Sequence, residues 1–188
     1  VFHIGYNATT ERLDPSYYDL LASEARIASL IAIAKGDVPQ SHWQHLGRPV
    51  TNVNGKQVLL SWSGTMFEYL MPTLFTKNYV GTFLSDSCYA ALDSQIRYGQ
   101  EQQVPWGISE SGYYAFDANL NYQYHAFGVP ELGYKRELHN ELVITPYASL
   151  MGLSLQPHAV LENMAHLEQL KMLGRYGFYE ALDYTKTR

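Results

Sequence analysis

A long apolar segment near the start of the chain limits the possible folds most strongly. Asp14-Pro15 is a typical helix start and Gly36 a typical helix end, so the sequence predicts one helix over about 15–35. The apolar residues of this segment lie on most sides of the predicted helix: Leu20, Leu21, Ala25, Ile27, Ala28, Ile31 and Ile33. Other elements must cover such a helix on more than one side. The sequence therefore favours an assembly of packed helices.

Four more helices and one hairpin are predicted farther along the chain. The hairpin covers 49–60, because Asn54-Gly55 between two apolar runs is the preferred dipeptide of a type I′ turn. The four helices are predicted over 65–75, 85–99, 145–153 and 157–173, the last ending at Gly174. No repeat or flexible linker divides residues 1–188, so we expect a single, mainly α unit with inserted β-hairpins.

The stretch 102–141 has no clear helix or strand period. It is rich in tyrosine and dotted with glycine, and it is far longer than an ordinary connection between elements. Connections of this length are usually functional. We therefore expect residues of the functional site in this stretch.

The composition favours an uncharged partner. Charged residues make up 16% of the chain, against about 25% in ordinary domains, whereas aromatics reach 14% and tyrosine alone occupies 16 positions. The net charge is −5, and no basic run is present that could neutralise phosphates. These features argue against nucleic acid and anionic membranes as partners, and they suit a neutral polyhydroxyl compound.

The sequence predicts neither a cofactor nor a metal ion. Cys88 is the single cysteine, which excludes a disulfide framework or a thiolate zinc site, and it is expected in the core. His42 and His45 have the spacing of metal ligands, but no third ligand lies nearby, so a surface pair is favoured. Phosphate-binding glycine loops and the serine-hydrolase elbow are missing. No apolar stretch approaches the length of a membrane span, which favours a soluble chain.

Glu24 is the first of several carboxylates in apolar or aromatic surroundings. On the predicted first helix its neighbours three and four residues away are apolar, so its carboxylate would project from an apolar face. Burial there would raise its pKa towards the range that a general acid needs. The alternative is a buried ion pair with Arg26 or with a distant arginine.

Glu68 and Glu110 allow both a structural and a functional interpretation. Glu68 lies three residues after Thr65, the spacing of a helix capping box, and capping is the favoured role. Glu110 follows Trp106 and precedes Tyr113, and aromatic faces beside a carboxylate are how proteins hold sugar rings over catalytic acids. For Glu110 a turn-capping role is the alternative.

Glu180 and Asp183 lie three residues apart among aromatic residues that include Tyr179. On a helix they would share one face, where they could serve a site or only solvate a helix end. Two carboxylates flanking a glycosidic bond are the minimal machinery of glycoside chemistry, and their separation decides between retention and inversion. The sequence supplies candidates for such a pair but not their separation.

Five long strings of the chain strongly resemble the glucoamylase-like central domain of cyclic β-1,2-glucan synthases. They are SYYDLLASEAR (16–26), LSWSGTMFEYLMP (60–72), PWGISES (105–111), LNYQY (120–124) and YGFYEALDY (176–184). The resemblance covers essentially the whole chain. It implies an (α/α)6 barrel, which needs about twelve helices, so a chain with five or six is expected to be an incomplete fragment.

The resemblance also implies the roles of individual residues. Glu110 would be the nucleophile of a retaining double displacement and Glu24 the acid/base, with Glu68, Glu180 and Asp183 lining the same cleft. Aromatic side chains would serve as platforms for glucose rings: Trp62, Trp106, Tyr113, Tyr122, Tyr124 and Tyr179.

The function implied is transglycosylation that closes a β-1,2-glucan into a ring. The expected partners are the glucan and the other domains of a parent synthase at the bacterial inner membrane, with this domain cytoplasmic. The alternatives are a non-catalytic glucan-binding module and an inverting β-1,2-glucanase. Because a partial barrel would expose apolar helix faces, we also expect self-association of the isolated piece.

Overall fold

The chain combines short helices with small sheets, and the computed structural model describes residues 1–187. Helical residues make up 36% of the chain, so the expectation of a mainly α protein is not confirmed, and a mixed helix and strand protein is observed. The α-helices are α1 (Arg26–Lys35), α2 (Ser41–Gln44), α3 (Met66–Leu70), α4 (Phe83–Gln102), α5 (Pro146–Met151) and α6 (Pro157–Gln169). Short 3-10 helices cover Met71–Leu74, Leu138–Asn140 and Gly152–Ser154.

Within residues 1–187 the strands pair two by two in antiparallel fashion. The first six are β1 (Phe2–His3), β2 (Tyr6–Asn7), β3 (Arg12–Leu13), β4 (Tyr17–Tyr18), β5 (Val50–Val53) and β6 (Lys56–Leu59). The others are β7 (Ser111–Phe116), β8 (Tyr122–His125), β9 (Val143–Ile144), β10 (Leu173–Gly174), β11 (Gly177–Phe178) and β12 (Leu182–Asp183). The pairs are β1 with β4, β2 with β3, β5 with β6, β7 with β8, β9 with β12, and β10 with β11.

The first helix is much shorter than the sequence predicts. It begins at Arg26, because β4 pairs with β1 and Leu20 bridges to Gly47 instead of continuing a helix. Gly36 ends the helix in the left-handed conformation, as predicted. The apolar side chain of Ile31 is 56% exposed, so the helix is not covered on all sides within this chain.

The predicted hairpin is confirmed, and the other predicted helices exist with shifted ends. Asn54 and Gly55 both have positive φ angles, as a type I′ turn requires, between β5 and β6. Helix α3 gives way to a 3-10 helix at Met71, α5 ends earlier than predicted, and α4 extends beyond both predicted ends. Helix α6 ends at Gln169, and Gly174 lies in β10 instead of stopping the helix.

The core is built around α3. Helices α4 and α5 both contact α3, α6 packs on α5, and β6 packs on α4. Tyr69 of α3 is buried, and its hydroxyl lies 2.7 Å from the carbonyl oxygen of Leu59 and 3.0 Å from that of Leu132. Cys88 is buried in the same core, as predicted. These contacts hold α3 firmly between the hairpin and the C-terminal helices.

In residues 1–187 no helix combines the length and the apolar character that crossing a membrane requires.

Candidate active site

The first turn of α3 organises the site, and Glu68 organises that turn. The Glu68 carboxylate accepts hydrogen bonds from the backbone nitrogens of Thr65 (2.9 Å) and Ser63 (3.0 Å) and from the Ser61 hydroxyl (2.9 Å). Thr65 in turn caps the helix by accepting from the nitrogen of Glu68. Burial raises the pKa of Glu68, and these hydrogen bonds oppose the rise. The predicted capping box is confirmed, with Oε2 of Glu68 in the box and Oε1 bound to the nitrogen of Ser63.

Arg26 attaches the segment that carries Glu24 to the same helix. Its guanidinium is buried and donates to the carbonyl oxygens of Glu68 (2.7 Å), Tyr69 (2.6 Å) and Ser23 (2.9 Å). A rigid, forked cation that satisfies three carbonyls fixes the turn before α1 against α3. The sequence suggested Arg26 as an ion-pair partner of Glu24, whereas the Arg26 guanidinium donates its hydrogen bonds to backbone carbonyl oxygens.

Glu24 lies in the turn that precedes α1, not on a helix face as predicted. It is partly buried, and the Ser23 hydroxyl donates to its Oε2 at 3.3 Å. Burial is the main cause that raises the pKa of Glu24, and the negative charges of Glu68 and Glu110 raise it further. The direction agrees with the sequence-based expectation, although a turn rather than a helix buries the carboxylate.

This raised pKa predicts a pH-dependent effect of Glu24→Gln on stability. A carboxyl group whose pKa rises above 4.5 on folding favours the folded state below pH 4.5, and this contribution is lost as the pH rises through the raised pKa. Glu24→Gln is therefore expected to increase the free energy of unfolding at neutral pH and to change it little below pH 4.5. Urea denaturation at both pH values measures this. Glu168→Gln, at an exposed position of α6, is the control, and a destabilised Glu24→Gln at neutral pH would contradict the prediction.

Glu110 is attached to α3 from the other side. The nitrogen of Phe67 donates to the Ser109 hydroxyl at 3.1 Å, and the Tyr147 hydroxyl lies 2.9 Å from that of Ser109. Tyr147 also donates to the carbonyl oxygen of Glu110 at 2.7 Å. The turn that carries Glu110 is thus held between α3 and α5.

The charge of Glu110 acts on Glu24, and the charges of both proposed catalytic acids act on a shared neighbour. The negative charge of Glu110 contributes to the raised pKa of Glu24. The pKa of Tyr18 is raised by burial, and then by the charges of both Glu24 and Glu110. The charges of two acids far apart in the sequence therefore act on the same part of the molecule.

A tyrosine-rich groove of about 780 Å³ is lined by Tyr124, which binds Glu110. The β7–β8 hairpin forms one wall and the segment 179–183 the other. Site residues predicted from the sequence that line it are Tyr113, Tyr122, Tyr124, Tyr179, Glu180 and Asp183. The Tyr124 hydroxyl donates to Oε2 of Glu110 at 2.9 Å, which joins the groove to the proposed catalytic acid.

Glu180 and Asp183 do not share a helix face, because their segment is extended. The Oε1 atom of Glu180 accepts from the nitrogen of Gly112 at 3.1 Å, which ties the two walls of the groove together. Asp183 belongs to β12, and its Oδ1 accepts from the nitrogen of Thr185 at 3.0 Å. Both line the groove, with Glu180 exposed and Asp183 partly buried.

The aromatic residues divide into exposed rings and core rings. Tyr122, Tyr124 and Tyr179 are each more than 60% exposed, as sugar platforms must be. Tyr113 packs edge-on against Phe127, with the ring centroids 5.3 Å apart, and so shows only part of its ring. Trp106 is 6% exposed in the core, which leaves no free ring face and makes its prediction as a platform wrong.

Trp62 is exposed but stands apart from the groove. Its ring packs 5.6 Å from that of Tyr134, and its Nε1 donates to Oδ1 of Asp19 at 3.0 Å. It therefore lies beside the segment that leads into Glu24. A platform at Trp62 would serve that side of the site.

The histidine pair is not a surface pair. His42 is buried, and its Nε2 lies 3.2 Å from the Ser29 hydroxyl, whereas His45 is exposed. In the described part of the chain, no three His, Cys, Asp or Glu side chains come together as a metal site.

Tyr147 and Tyr18 are the site residues that the sequence did not single out. Tyr147, on α5, donates a hydrogen bond to the carbonyl oxygen of Glu110. The charges of Glu24 and Glu110 both raise the pKa of Tyr18, which lies on β4. Each is far from Glu110 in sequence, and tyrosine is common in this chain, so no local pattern marks them. Ser109, the polar residue directly before Glu110, was the one local sign that a polar side chain from another segment contacts this turn.

Partly buried carboxylates together with a groove of exposed tyrosines are typical of carbohydrate-active domains. The family model described as "Putative glucoamylase" matches residues 16–188. The chain belongs to this glucoamylase-like family.

A close relative of this chain is a much larger protein. The chain is 48% identical over 185 residues to the cyclic β-(1,2)-glucan synthase NdvB of Rhizobium meliloti (strain 1021). The match covers 98% of this chain and 6% of that protein. The chain thus spans a small part of the relative it matches.

Solved structures share the fold at low sequence identity. One is a glucoamylase-family protein from Bacteroides caccae ATCC 43185, with a TM-score of 0.66 and 20% sequence identity. The match covers 98% of this chain and 48% of the Bacteroides caccae protein. The endo-β-1,2-glucanase of Chitinophaga pinensis, in complex with sophorotriose and glucose, has a TM-score of 0.64 and 19% identity, over 99% of this chain and 48% of its own.

Proposed function

We propose that this chain is part of a domain that acts on β-1,2-glucan by transglycosylation, with Glu24 and Glu110 as the paired carboxylates. The observation that carries the proposal is that the segments of both acids are attached to α3, that the charge of Glu110 raises the pKa of Glu24, and that Tyr124 of the groove binds Glu110. The similarity to NdvB and to an endo-β-1,2-glucanase supports the substrate class.

The environments of the two acids support different roles. The pKa of Glu24 is raised by burial, which favours its protonated form and suits the acid/base. Glu110 accepts a hydrogen bond from Tyr124 and stands at the groove, which suits the nucleophile. This division is that of a retaining enzyme.

In the first step, an oxygen of Glu110 bonds to the anomeric carbon of a glucose unit while the glycosidic bond to the leaving part breaks. Glu24 gives its proton to the departing oxygen, and a glycosyl ester of Glu110 remains. In the second step, Glu24 takes the proton from an incoming 2-hydroxyl group, whose oxygen displaces Glu110. When that hydroxyl belongs to the far end of the same chain, the product is a ring.

The groove suits an uncharged, flexible chain. Tyr122 and Tyr179 offer exposed ring faces on its two walls, and such faces bind sugar rings through apolar contact without requiring charge. Rigid aromatic side chains also lose little conformational freedom on binding. These properties favour holding a bent glucan over the acids.

We further propose that the chain is a portion of an (α/α)6 domain in a larger synthase at the inner membrane, with this domain on the cytoplasmic side. The solved structures that share the fold are about twice as long as the matched region, which supports a partial domain. Phe75 and Val80, between α3 and α4, are more than 70% exposed and suit contact with a further part of such a domain. Because these apolar side chains are exposed, we also predict that the isolated piece associates with itself.

Incubation of the intact protein with linear β-1,2-glucan tests the proposed function, with linear β-1,3-glucan as the comparison. Cyclic products from the β-1,2-linked glucan alone, detected by mass spectrometry as products lacking one water, are expected. Binding without any change in chain length would instead indicate a non-catalytic glucan-binding module. Shortened linear products alone would indicate a glucanase.

A further inference from the structure

Tyr124 contacts Glu110 through its hydroxyl group, not through its ring. It stands in β8 directly opposite Gly112 of β7, two residues after Glu110. From there its hydroxyl donates to Oε2 of Glu110 at 2.9 Å, while 65% of the side chain stays exposed in the groove. The hydroxyl is therefore committed to one carboxylate oxygen before any glucan binds.

The strand that carries Tyr124 is anchored by its next residue. The Nδ1 atom of His125 lies 3.1 Å from Oε2 of Glu141, and its Nε2 lies 2.7 Å from Nζ of Lys135. Lys135 also donates to the carbonyl oxygen of Ala126 at 3.0 Å. Successive side chains of a strand point to opposite faces, so this anchor leaves Tyr124 free to face the groove.

Tyr124 remains a hydrogen-bond donor over the working pH range. Burial raises the pKa of its phenol, and the hydrogen bond to Glu110 and the charges of Glu110 and Glu180 raise it further. A phenol in such surroundings keeps its proton. The Glu110 carboxylate accepts the hydrogen bond from the Tyr124 hydroxyl, and this hydrogen bond stabilises its negative charge.

We propose that Tyr124 is a positioning residue for Glu110, which deepens the proposed function and rests on it. The hydroxyl holds Oε2 and fixes the plane of the carboxylate, so that Oε1 is the oxygen that faces the anomeric carbon. Tyr147 fixes the backbone of the same residue through its carbonyl oxygen. Two tyrosines on different elements thereby leave Glu110 little freedom to rotate. Loss of such orientation costs rate rather than affinity.

Tyr124→Phe tests this proposal, because it keeps the ring and removes only the hydroxyl. In the intact protein, kcat on linear β-1,2-glucan is expected to fall about 10- to 100-fold, while KM and the calorimetric affinity for the glucan stay within about twofold. Thermal unfolding should be unchanged, since the hydroxyl is at the groove. Tyr89→Phe, the same change on α4 away from the groove, should leave kcat unchanged.

The outcomes separate this proposal from the function on which it rests. A raised KM with unchanged kcat would identify Tyr124 as a sugar-binding residue and overturn the positioning role. Unchanged kinetics in Tyr124→Phe, with Glu110→Gln inactive, would also overturn the positioning role but leave the proposed function standing. Full activity of Glu110→Gln itself would overturn both.

Discussion

Glu110→Gln is expected to lower kcat on linear β-1,2-glucan by about 10³- to 10⁴-fold while the glucan still binds. The amide has nearly the same size as the carboxylate and can still accept a hydrogen bond from Tyr124, so the groove should keep its shape. It carries no negative charge, however, and forms no glycosyl ester. Steady-state kinetics and isothermal titration calorimetry on the same preparation measure the two effects separately.

Glu168→Gln is the matched control for Glu110→Gln. It makes the same chemical change at an exposed position of α6 and should keep the kinetics of the unaltered protein. Full activity of Glu110→Gln would remove Glu110 from the mechanism. Loss of glucan binding in parallel with activity would show that its main role is to hold the substrate.

Arg26→Met is expected to lower the free energy of unfolding by about 3–5 kcal/mol. The methionine fills much of the same space but donates no hydrogen bonds, so the carbonyl groups of Glu68 and Tyr69 lose their guanidinium partner. A buried carbonyl without a partner costs about 1–3 kcal/mol. The change also removes the attachment of the Glu24 turn to α3, so activity should fall together with stability.

Urea denaturation measures the effect of Arg26→Met as a shift of the midpoint. Arg12→Met is the control, because Arg12 is exposed on β3 and its replacement should change the free energy of unfolding by less than about 0.5 kcal/mol. A midpoint for Arg26→Met equal to that of the control would show that the hydrogen bonds to α3 contribute little. The attachment of Glu24 to α3 would then have to depend on other contacts.

Local signals predicted the parts of the fold that depend on local chemistry. Asn54-Gly55 defines a hairpin turn because both residues adopt positive φ angles, and Thr65 with Glu68 closes a capping box within one turn. Pro146 and Pro157 each start a helix at the first position, where proline fits. In each case the residues that decide the structure lie within four positions of each other.

Long-range pairing explains the predictions that were wrong. Asp14-Pro15 has the chemistry of a helix start, but β4 pairs with a strand at the very beginning of the chain, and the helix begins eleven residues later at Arg26. Glu180 and Asp183 have helical spacing in the sequence, yet their segment is extended because β12 pairs with β9. Tertiary contacts outweigh local preference in both segments.

The site shows the same division between local and distant causes. The raised pKa of Glu24 was predictable in direction, because apolar neighbours surround it in the sequence. The attachment of Glu24 and Glu110 to one helix depends on Arg26 and Ser109, which both bind α3 from segments that are far apart in the sequence. The burial of Trp106 was not predictable, because a loop tryptophan fits a core or a sugar platform equally well.

The anomeric configuration of the first products tests the central claim most directly. Nuclear magnetic resonance during the first turnovers of the intact protein on linear β-1,2-glucan should show transfer or release with the β-configuration kept, as a double displacement through Glu110 requires. Products that first appear in the α-configuration would show a single displacement by an activated water. That result would contradict the roles proposed for Glu24 and Glu110.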